Sequence, residues 1–215
     1  VRFPAPVPLD GAFRRMAGLS AAAGGPPAAL AACELRSPAQ FDDAGFDALS
    51  ERYFGLIKAS GFTGLTDVNP IARTNVCPAV HDLTDVCVDA FAFTVEDPGA
   101  RPSFVLAGAL DLRPGDGDPR DLVVAPGRID AVGIRAKASY ALDELEGRMA
   151  SLGVDWSMTT ANNVYCAHDV SQAMTEEFAR RGVARRGMTW HLCRPPIFGP
   201  EFEMDARCVA VERTL

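Results

Sequence analysis

The chain has 215 residues, and its composition, 48% hydrophobic and 23% charged, is that of a globular protein rather than a disordered one. Its net charge of −7 and its pI of about 5.0 argue against nucleic acid or anionic lipid as a partner, because both need a basic surface. No apolar run approaches the ~18–20 residues of a membrane span.

The first half of the chain predicts the order helix, strand, helix, strand, strand. Prolines at positions 4, 6 and 8 give an extended entry, and Asp10 is a candidate N-cap for a helix that ends before the glycines at 24 and 25. Residues 28–35 favour a strand. A second helix, closed by Gly61, is predicted from an apolar stripe at helical spacing that consists of Phe46, Leu49, Tyr53, Leu56 and Ile57. Two strands are predicted at 73–80 and 86–95.

The second half adds a strand at 104–110 and then repeats that order. A helical stripe comes next and consists of Ala138, Leu142, Leu145, Met149 and Leu152. Residues 159–167 are strand-like and residues 170–181 favour a helix. Two strands are predicted at 188–193 and 203–212, so the same element order occurs twice.

The repeat is also visible in the residues. Asp205, in the segment Phe-Glu-Met-Asp-Ala, lies 116 positions after Asp89, in the similar segment Val-Cys-Val-Asp-Ala. Cys193 lies 116 positions after Cys77. Two matches at one offset, within matching element orders, indicate an internal repeat. We therefore expect two α+β modules, at 1–97 and 98–215, of which the first lacks its opening strands.

The cysteines and histidines do not have the spacing of a metal site. The chain has six cysteines without a C-x-x-C pair and only three histidines, so we expect no metal. The opening residues, Val1 to Pro4, do not resemble a signal peptide. We therefore expect a cytoplasmic protein with free, buried thiols, and Cys87 is better explained as a small buried hydrophobe than as a nucleophile.

The order and spacing of several motifs resemble those of the Rid family, the reactive intermediate deaminases. In the second half these are the strand Ala107-Gly108-Ala109-Leu110, the segment 163–169 (Asn-Val-Tyr-Cys-Ala-His-Asp) and the terminal strand Glu203-Met204-Asp205-Ala206. In the first half, residues 71–76 (Ile-Ala-Arg-Thr-Asn-Val) are similar to the family's Pro-Ala-Arg-x-x-Val motif. The resemblance covers nearly the whole chain.

The resemblance implies a fold and an activity. The fold is α+β, with two tandem chorismate-mutase-like modules, each a mixed sheet with two helices on one face. The implied assembly is a homo-oligomer, a trimer as first choice and a hexamer as second. The implied activity is hydrolysis of 2-imino or 2-enamino acids to 2-oxo acids and ammonia, without a cofactor. Relatives deaminate 2-aminomuconate in the degradation of aromatic compounds, so the expected partner is a small unsaturated carboxylate or dicarboxylate.

The resemblance also implies a site divided between the two halves. The family's motif arginine binds the substrate carboxylate, and its terminal-strand glutamate lies near the attacking water. Arg73 matches the arginine and Glu203 matches the glutamate. Cys87 stands at the glutamate position of the first half, and Met188 or Thr189 at the arginine position of the second. Each half therefore carries one of the two groups, so either the two halves build a composite site or one or both of the family's sites are inactive.

Three further residues are candidates for the same site. Arg194 precedes two prolines, which restrict the backbone conformations of the loop. It therefore either binds a second carboxylate or caps a turn. His191 matches Asn75 at the 116-residue offset, and it either protonates the leaving ammonia or is structural. Asn75 is a weaker candidate for substrate binding. Arg73 and Glu203 themselves have a structural alternative as solvated strand residues.

Two other functions stay open from the sequence. The first is a chorismatase-like hydrolase, which uses a tandem module of the same general fold. The second is a ligand-binding or chaperone-like protein without activity, because neither half carries both the arginine and the glutamate. Release of ammonia from a freshly generated imino acid would separate a deaminase from both.

Overall fold

The structure, a computed structural model, describes residues 1–26, 28–62 and 71–215. It is an α+β protein built on two mixed β-sheets, each with helices on one face. The elements of the first half are β1 (Arg2–Pro8), α1 (Leu9–Ala22), β2 (Leu30–Arg36), α2 (Asp43–Ala59), β3 (Ala72–Pro78) and β4 (Cys87–Phe93).

The second half contains five strands and a longer helix. Its strands are β5 (Phe104–Leu110), β6 (Ala161–Cys166), β7 (Thr189–His191), β8 (Cys193–Arg194) and β9 (Phe202–Cys208). Its α-helices are α3 (Pro119–Leu122), α4 (Ala131–Leu152), α5 (Ser171–Ala173) and α6 (Ala179–Arg181). A 3₁₀ turn (Trp156–Met158) precedes β6, and a π-helical turn (Met174–Phe178) joins α5 to α6.

The two sheets share one order of strands. The first sheet runs β1-β4-β2-β3 and the second β5-β9-β6-β7, each with one parallel pair among antiparallel ones. The short strand β8, from the second half of the chain, adds a fifth strand to the first sheet by pairing with β3, so that Cys77 lies opposite Arg194 and Pro78 opposite Cys193. Strand β3 of the first sheet thus lies against the second.

The helix predictions are largely confirmed, with two corrections. Asp42 and Asp130 cap α2 and α4 by accepting hydrogen bonds from backbone N–H groups, at 2.8 and 3.0 Å. Asp10 does not cap α1, because the helix already begins at Leu9; Asp10 lies in the first turn and pairs with Arg52 instead. Leu152, expected in the buried stripe of α4, is 57% exposed because it lies in the last turn, beyond the core.

The expectation that the first half lacks an opening strand is wrong. Arg2–Pro8 forms β1, which pairs with β4 as β5 pairs with β9. Its alternating prolines cannot donate backbone hydrogen bonds, and β1 lies at the edge of the sheet, where this is tolerated. Its register is irregular between Arg2 and Val7.

Each sheet buries one apolar face against its helices and turns the other face towards its neighbour. The two cores lie between β1–β4 and α1–α2, and between the second sheet and α4–α6. The facing surfaces are polar and largely buried. Contacts across this inter-sheet layer join Thr74 to Asp205 (3.1 Å), Glu34 to Arg207 (3.4 Å) and the Arg36 guanidinium to the Tyr165 ring (5.6 Å).

A glycine permits the close approach of the two halves. Gly108 of β5 has a φ of +66°, and a Cβ atom there would lie 3.2 Å from the backbone oxygen of Arg73. A larger residue would be strained by its own backbone and would push β3 away from the second sheet. In the described ranges, no helix combines the length and the apolar character that crossing a membrane requires.

Candidate active site

Arg73 lies on β3 and reaches towards helix α2. Both of its terminal nitrogens donate to the Ser50 hydroxyl at 3.3 Å. Its guanidinium also lies 5.0 Å from the centre of the Phe46 ring and 5.1 Å from that of Tyr53. Residues 46, 50 and 53 share one face of α2, because residues three and four apart are neighbours on a helix. The helix therefore holds the guanidinium with two rings and one hydroxyl.

The Arg73 guanidinium has no anion as a partner among the described residues. No carboxylate of those residues lies within 4 Å of it, although ten other arginines form such pairs. Burial lowers the pKa of Arg73, and the charge of Glu203 opposes that shift. A partly buried cation that bonds to neutral groups alone is suited to receive the carboxylate of a ligand.

Asn75 lies two residues further along the same strand. Its side-chain oxygen accepts a hydrogen bond from the Ser37 hydroxyl at 2.8 Å, and Asn75 is only 3% exposed. Its amide nitrogen, Nδ2, has no hydrogen-bond partner within the described part of the chain. A buried donor without a partner costs about 1–3 kcal/mol, so this amide is a candidate to bind a ligand.

Glu203 meets this strand from the other half of the chain. It lies on β9, is 1% exposed, and its carboxyl group receives the backbone N–H of Asn75. Its second oxygen, Oε2, has no partner in the ranges that the structure describes. Burial, followed by the charge of Asp205, raises the pKa of Glu203 well above its ordinary value, although Arg36 and Arg73 act in the opposite direction. Burial therefore favours the protonated form of this carboxyl group.

Arg194 lies on the same face of the ladder as Arg73. Residues 73, 75 and 77 alternate onto one face of β3, and Arg194 stands directly opposite Cys77. Its side chain is exposed and forms no ion pair with a described residue. The register separates Arg73 from Arg194 by about 13 Å along β3, at ~3.3 Å per residue. Asn75 stands between the two arginines.

His191 does not join this group. Its ring stacks on Tyr165, with centroids 4.8 Å apart, and its Nε2 lies 3.2 Å from the side-chain oxygen of Asn163. Burial, followed by the charge of Arg36, lowers the pKa of His191 to about 4. The ring is therefore neutral at physiological pH, and it lies in the inter-sheet layer rather than on the face of β3 that carries Arg73.

The sequence did not single out four residues that support the site. Ser50 holds Arg73, Ser37 holds Asn75, and the charges of Arg36 and Asp205 act on Glu203. The spacing of residues in the sequence could have indicated two of them. Ser50 lies at helical spacing from Phe46 and Tyr53, and Asp205 shares the face of Glu203 by strand alternation.

The thiols lie near the site but are protonated. Burial raises the pKa of Cys77 to about 12 and that of Cys193 to about 11. Burial also raises the pKa of Cys87, whose thiol donates to a backbone oxygen at 3.4 Å. All six cysteines are free, and five are buried. Within the described ranges, no three His, Cys, Asp or Glu side chains are grouped as a metal site requires.

Comparisons with known proteins show the family to which the chain belongs. The model of the family described as "2-aminomuconate deaminase CnbZ" matches residues 1–213. The 2-amino-5-chloromuconate deaminase of Comamonas testosteroni is 38% identical over 217 aligned positions, which cover 100% of this chain and 86% of that protein. A chorismatase of known crystal structure shares 13% sequence identity with this chain. The alignment covers 94% of this chain and 70% of the chorismatase chain, with a TM-score of 0.42.

Proposed function

Because the chain belongs to the 2-aminomuconate deaminase family, we propose that it hydrolyses a 2-amino or 2-imino unsaturated dicarboxylate to the 2-oxo acid and ammonia. The family and the related chloromuconate enzyme support an enzyme that acts on the C–N bond of an aminomuconate-type compound. The hydrolytic route and its independence of a cofactor are our inference from the site.

One observation carries this proposal: among the described residues, two buried groups without hydrogen-bond partners accompany an arginine that has no counter-ion. Glu203 Oε2 and Asn75 Nδ2 lack such partners there, and the one group of those residues to which Arg73 donates is the Ser50 hydroxyl. Leaving such groups unpaired costs stability, which is understandable where a ligand completes them. A carboxylate on Arg73 would bring the adjacent carbon of a 2-amino acid towards Asn75 and Glu203.

The second arginine supports a dicarboxylate as the substrate. An extended unsaturated diacid on the face of β3 would lay one carboxylate on Arg73 and direct the other towards Arg194. The separation of about 13 Å along the strand leaves room for the substrate and for two flexible side chains that reach towards it. Arg194 is exposed, so its contribution to binding is smaller than that of Arg73.

The proposed chemistry uses Glu203 first as an acid and then as a base. Its carboxyl proton passes to the carbon beside C2 of the enamine, while the nitrogen lone pair forms the C2=N bond of an iminium ion. Water then adds to C2 and gives its proton to the Glu203 carboxylate. The resulting carbinolamine receives that proton on nitrogen and loses ammonia. Its hydroxyl proton returns to Glu203 as the carbonyl forms, so the enzyme is regenerated.

Asn75 and Arg73 assist these reaction steps without exchanging protons. Arg73 holds the carboxylate next to the reacting carbon, which fixes the orientation of C2 against Glu203. The free Asn75 amide can donate to the oxygen that develops on C2. The steps need neither a metal nor a nucleotide, because the substrate nitrogen supplies the electrons and Glu203 moves every proton. This sequence gives His191 no role in the chemistry.

The common strand order of the two sheets supports a tandem origin. We propose that residues 1–97 and 98–215 are two Rid-type modules of the chorismate-mutase-like class. We also propose a cytoplasmic homo-oligomer, most simply a trimer of tandem chains with a hexamer as the alternative. The exposed apolar side chains Val80, Trp190 and Leu192 support such an assembly, since Leu192 pairs with the residue before Val80. A monomeric mass by light scattering at micromolar concentration would contradict it.

Product analysis in labelled water tests the proposed function. The protein is mixed with 2-aminomuconate, and ammonia is measured together with the mass of the 2-oxo product formed in H₂¹⁸O. We expect equal amounts of ammonia and product, with one ¹⁸O atom at C2 in samples quenched before carbonyl exchange. Binding of the substrate without ammonia release would instead support the ligand-binding alternative.

A further inference from the structure

Two carboxyl groups lie side by side on the inter-sheet face of β9. Glu203 and Asp205 are two residues apart on a strand, so both side chains point to the same face, whereas Phe202, Met204 and Ala206 point into the core. Glu203 is 1% exposed and Asp205 3%. Two buried carboxylates this close repel each other, and one of them gains by holding its proton.

The hydrogen bonds show which of the two is ionised. Asp205 accepts three hydrogen bonds, from the Thr74 hydroxyl (3.1 Å), the Asn163 amide (2.7 Å) and the Tyr165 hydroxyl (2.7 Å). A carboxylate accepts only, and three donors at one group fit the anion. These donors come from β3 in one sheet and β6 in the other, so both halves of the chain hold Asp205 in place.

Glu203 has the opposite environment. Among the described residues it receives only the backbone N–H of Asn75, and Oε2 faces no donor. A bare oxygen in a buried site is the expected place for the proton of a neutral carboxyl group. The two carboxyl groups are thus equally buried, but they differ in the number of hydrogen-bond donors that the protein gives them.

We propose that Asp205, held ionised by Thr74, Asn163 and Tyr165, is a positioning residue that keeps the Glu203 carboxyl group protonated between turnovers. The inference rests on the proposed function in one respect, since that function supplies the use of the proton. The negative charge of Asp205 makes loss of the Glu203 proton unfavourable, and its three donors prevent Asp205 from taking the proton itself.

Other charged groups face the pair and balance each other. The guanidinium groups of Arg36 and Arg73 favour the Glu203 anion. The nearby thiols of Cys77 and Cys193 are neutral, because burial raises their pKa values. On the Asp205 side, burial and the charge of Glu34 raise the pKa of Asp205, while Tyr165, Asn163 and Arg207 lower it. Burial and the charge of Asp205 therefore both favour the protonated form of Glu203, against the two arginines.

Substrate binding strengthens this arrangement. A carboxylate on Arg73 cancels one of the two cations that favour the Glu203 anion. The proton on Glu203 is then held more firmly in the complex than in the free protein until the enamine carbon accepts it. Asp205 and the bound substrate act in the same direction.

The test is the Asp205→Asn variant, with two readouts. The first is the pH dependence of kcat/KM for ammonia release. The high-pH limb, where Glu203 loses its proton, should move to lower pH by about one unit or more, because a buried like charge has been removed. The second is the infrared carbonyl band of a protonated carboxyl group in the unliganded protein, assigned to Glu203 by its loss in Glu203→Gln. The band should titrate at lower pH in Asp205→Asn.

The control is Asp205→Glu, which keeps the charge and should leave the limb and the band near their wild-type positions. If Asp205→Asn does not fold, Tyr165→Phe replaces it. This variant removes one of the donors that stabilise the ionised form of Asp205, so the limb and the band should move in the same direction but by less. A missing wild-type band at neutral pH would overturn the inference. A band that does not move in Asp205→Asn would also overturn it. Absence of ammonia release while the band moves as expected would reject the proposed function and leave the role of Asp205 intact.

Discussion

Glu203 and Arg73 are 130 positions apart in the chain, yet the charge of each shifts the pKa of the other. Strand β9 carries the acid and β3 the cation, and neither half of the chain contains both. By the 116-residue offset, Cys87 of β4 stands at the position equivalent to Glu203. In the proposed site, the first half provides Arg73 and Asn75, and the second half provides Glu203 and Arg194.

We predict that Arg73→Ala weakens substrate binding more than it slows chemistry. A charge-assisted pair contributes ~1.5–3 kcal/mol, so KM should rise roughly 10- to 150-fold while kcat changes little. Arg73→Lys should recover part of the loss, because an ammonium group keeps the charge but not the bidentate geometry. Steady-state kinetics measure both. An unchanged KM in Arg73→Ala would remove Arg73 from the site.

The matched control for that prediction is Ser50→Ala. It removes the hydroxyl that holds the free guanidinium but leaves the cation and the rings of Phe46 and Tyr53. We expect KM to change much less than in Arg73→Ala, because the cation that binds the carboxylate and the two rings that hold it remain. An effect as large as that of Arg73→Ala would mean that both variants disturb the fold.

Arg194→Ala should change selectivity rather than turnover. If Arg194 meets the distal carboxylate, the variant should lose roughly 1.5-fold to fivefold in kcat/KM for a dicarboxylate, as fits the ~0.2–1 kcal/mol of an exposed ion pair. The same variant should leave a monocarboxylate 2-enamino acid unaffected. The comparison is made by ammonia release from the two substrates. Equal losses on both would assign Arg194 a structural role.

The buried Glu203 carboxyl group should also make the stability of the folded protein depend on pH. The pKa of Glu203 is raised in the folded protein, so the folded state keeps a proton that the unfolded chain releases above its ordinary pKa of 4.5. From that pH up to the folded-state pKa, wild-type stability falls by as much as about 1.4 kcal/mol per pH unit because of this group. Glu203→Gln does not titrate and avoids the loss.

Denaturant unfolding at two pH values measures this effect. The free energy of unfolding of Glu203→Gln, measured relative to that of the wild type, should be larger at pH 7.5 than at pH 5.5 by about 1–2 kcal/mol, so the variant gains relative stability as the pH rises. An Asp10→Asn control, at an exposed ion pair, should show a much smaller pH dependence. A difference that does not depend on pH would mean that Glu203 is ionised in the folded protein.

The sequence predicted the elements better than their mutual placement. Apolar spacing is a local signal, and it indicated α2 and the C-terminal two thirds of α4, whereas the one predicted N-cap, Asp10, was wrong. The 116-residue offset equated His191 with Asn75, but an offset states only that each occupies the same place in its own sheet. Strand β3 lies against the second half, so Asn75 meets Glu203, whereas His191 stacks on Tyr165. Which sheet edge meets which strand depends on tertiary packing.

The supporting residues were missed for a related reason. Ser37 and Ser50 matter because each bonds to a single residue, Asn75 and Arg73, which lie 38 and 23 positions away. A serine carries no sequence signal for such a bond. Arg36 could be assigned as an inter-sheet residue only once the polar layer was known, since β2 alternates between an apolar face and this buried one.

Chelation provides a test of the cofactor-free route. We predict that prolonged dialysis against a chelator leaves ammonia release unchanged, because the proposed steps use Glu203 and the substrate nitrogen alone. Activity is measured before dialysis, after it, and after addition of a divalent metal ion. A loss that the metal restores would replace the proposed mechanism with a metal-assisted one.

The most direct test of the composite site is single-turnover ammonia release by Glu203→Gln, with substrate binding measured on the same sample. The substitution keeps the shape and a hydrogen-bonding end but removes the proton that moves. We predict that 2-aminomuconate still binds with nearly wild-type affinity, while the rate of ammonia release falls by ~10²–10⁴. A rate close to that of the wild type, in a variant that binds and folds normally, would contradict the account.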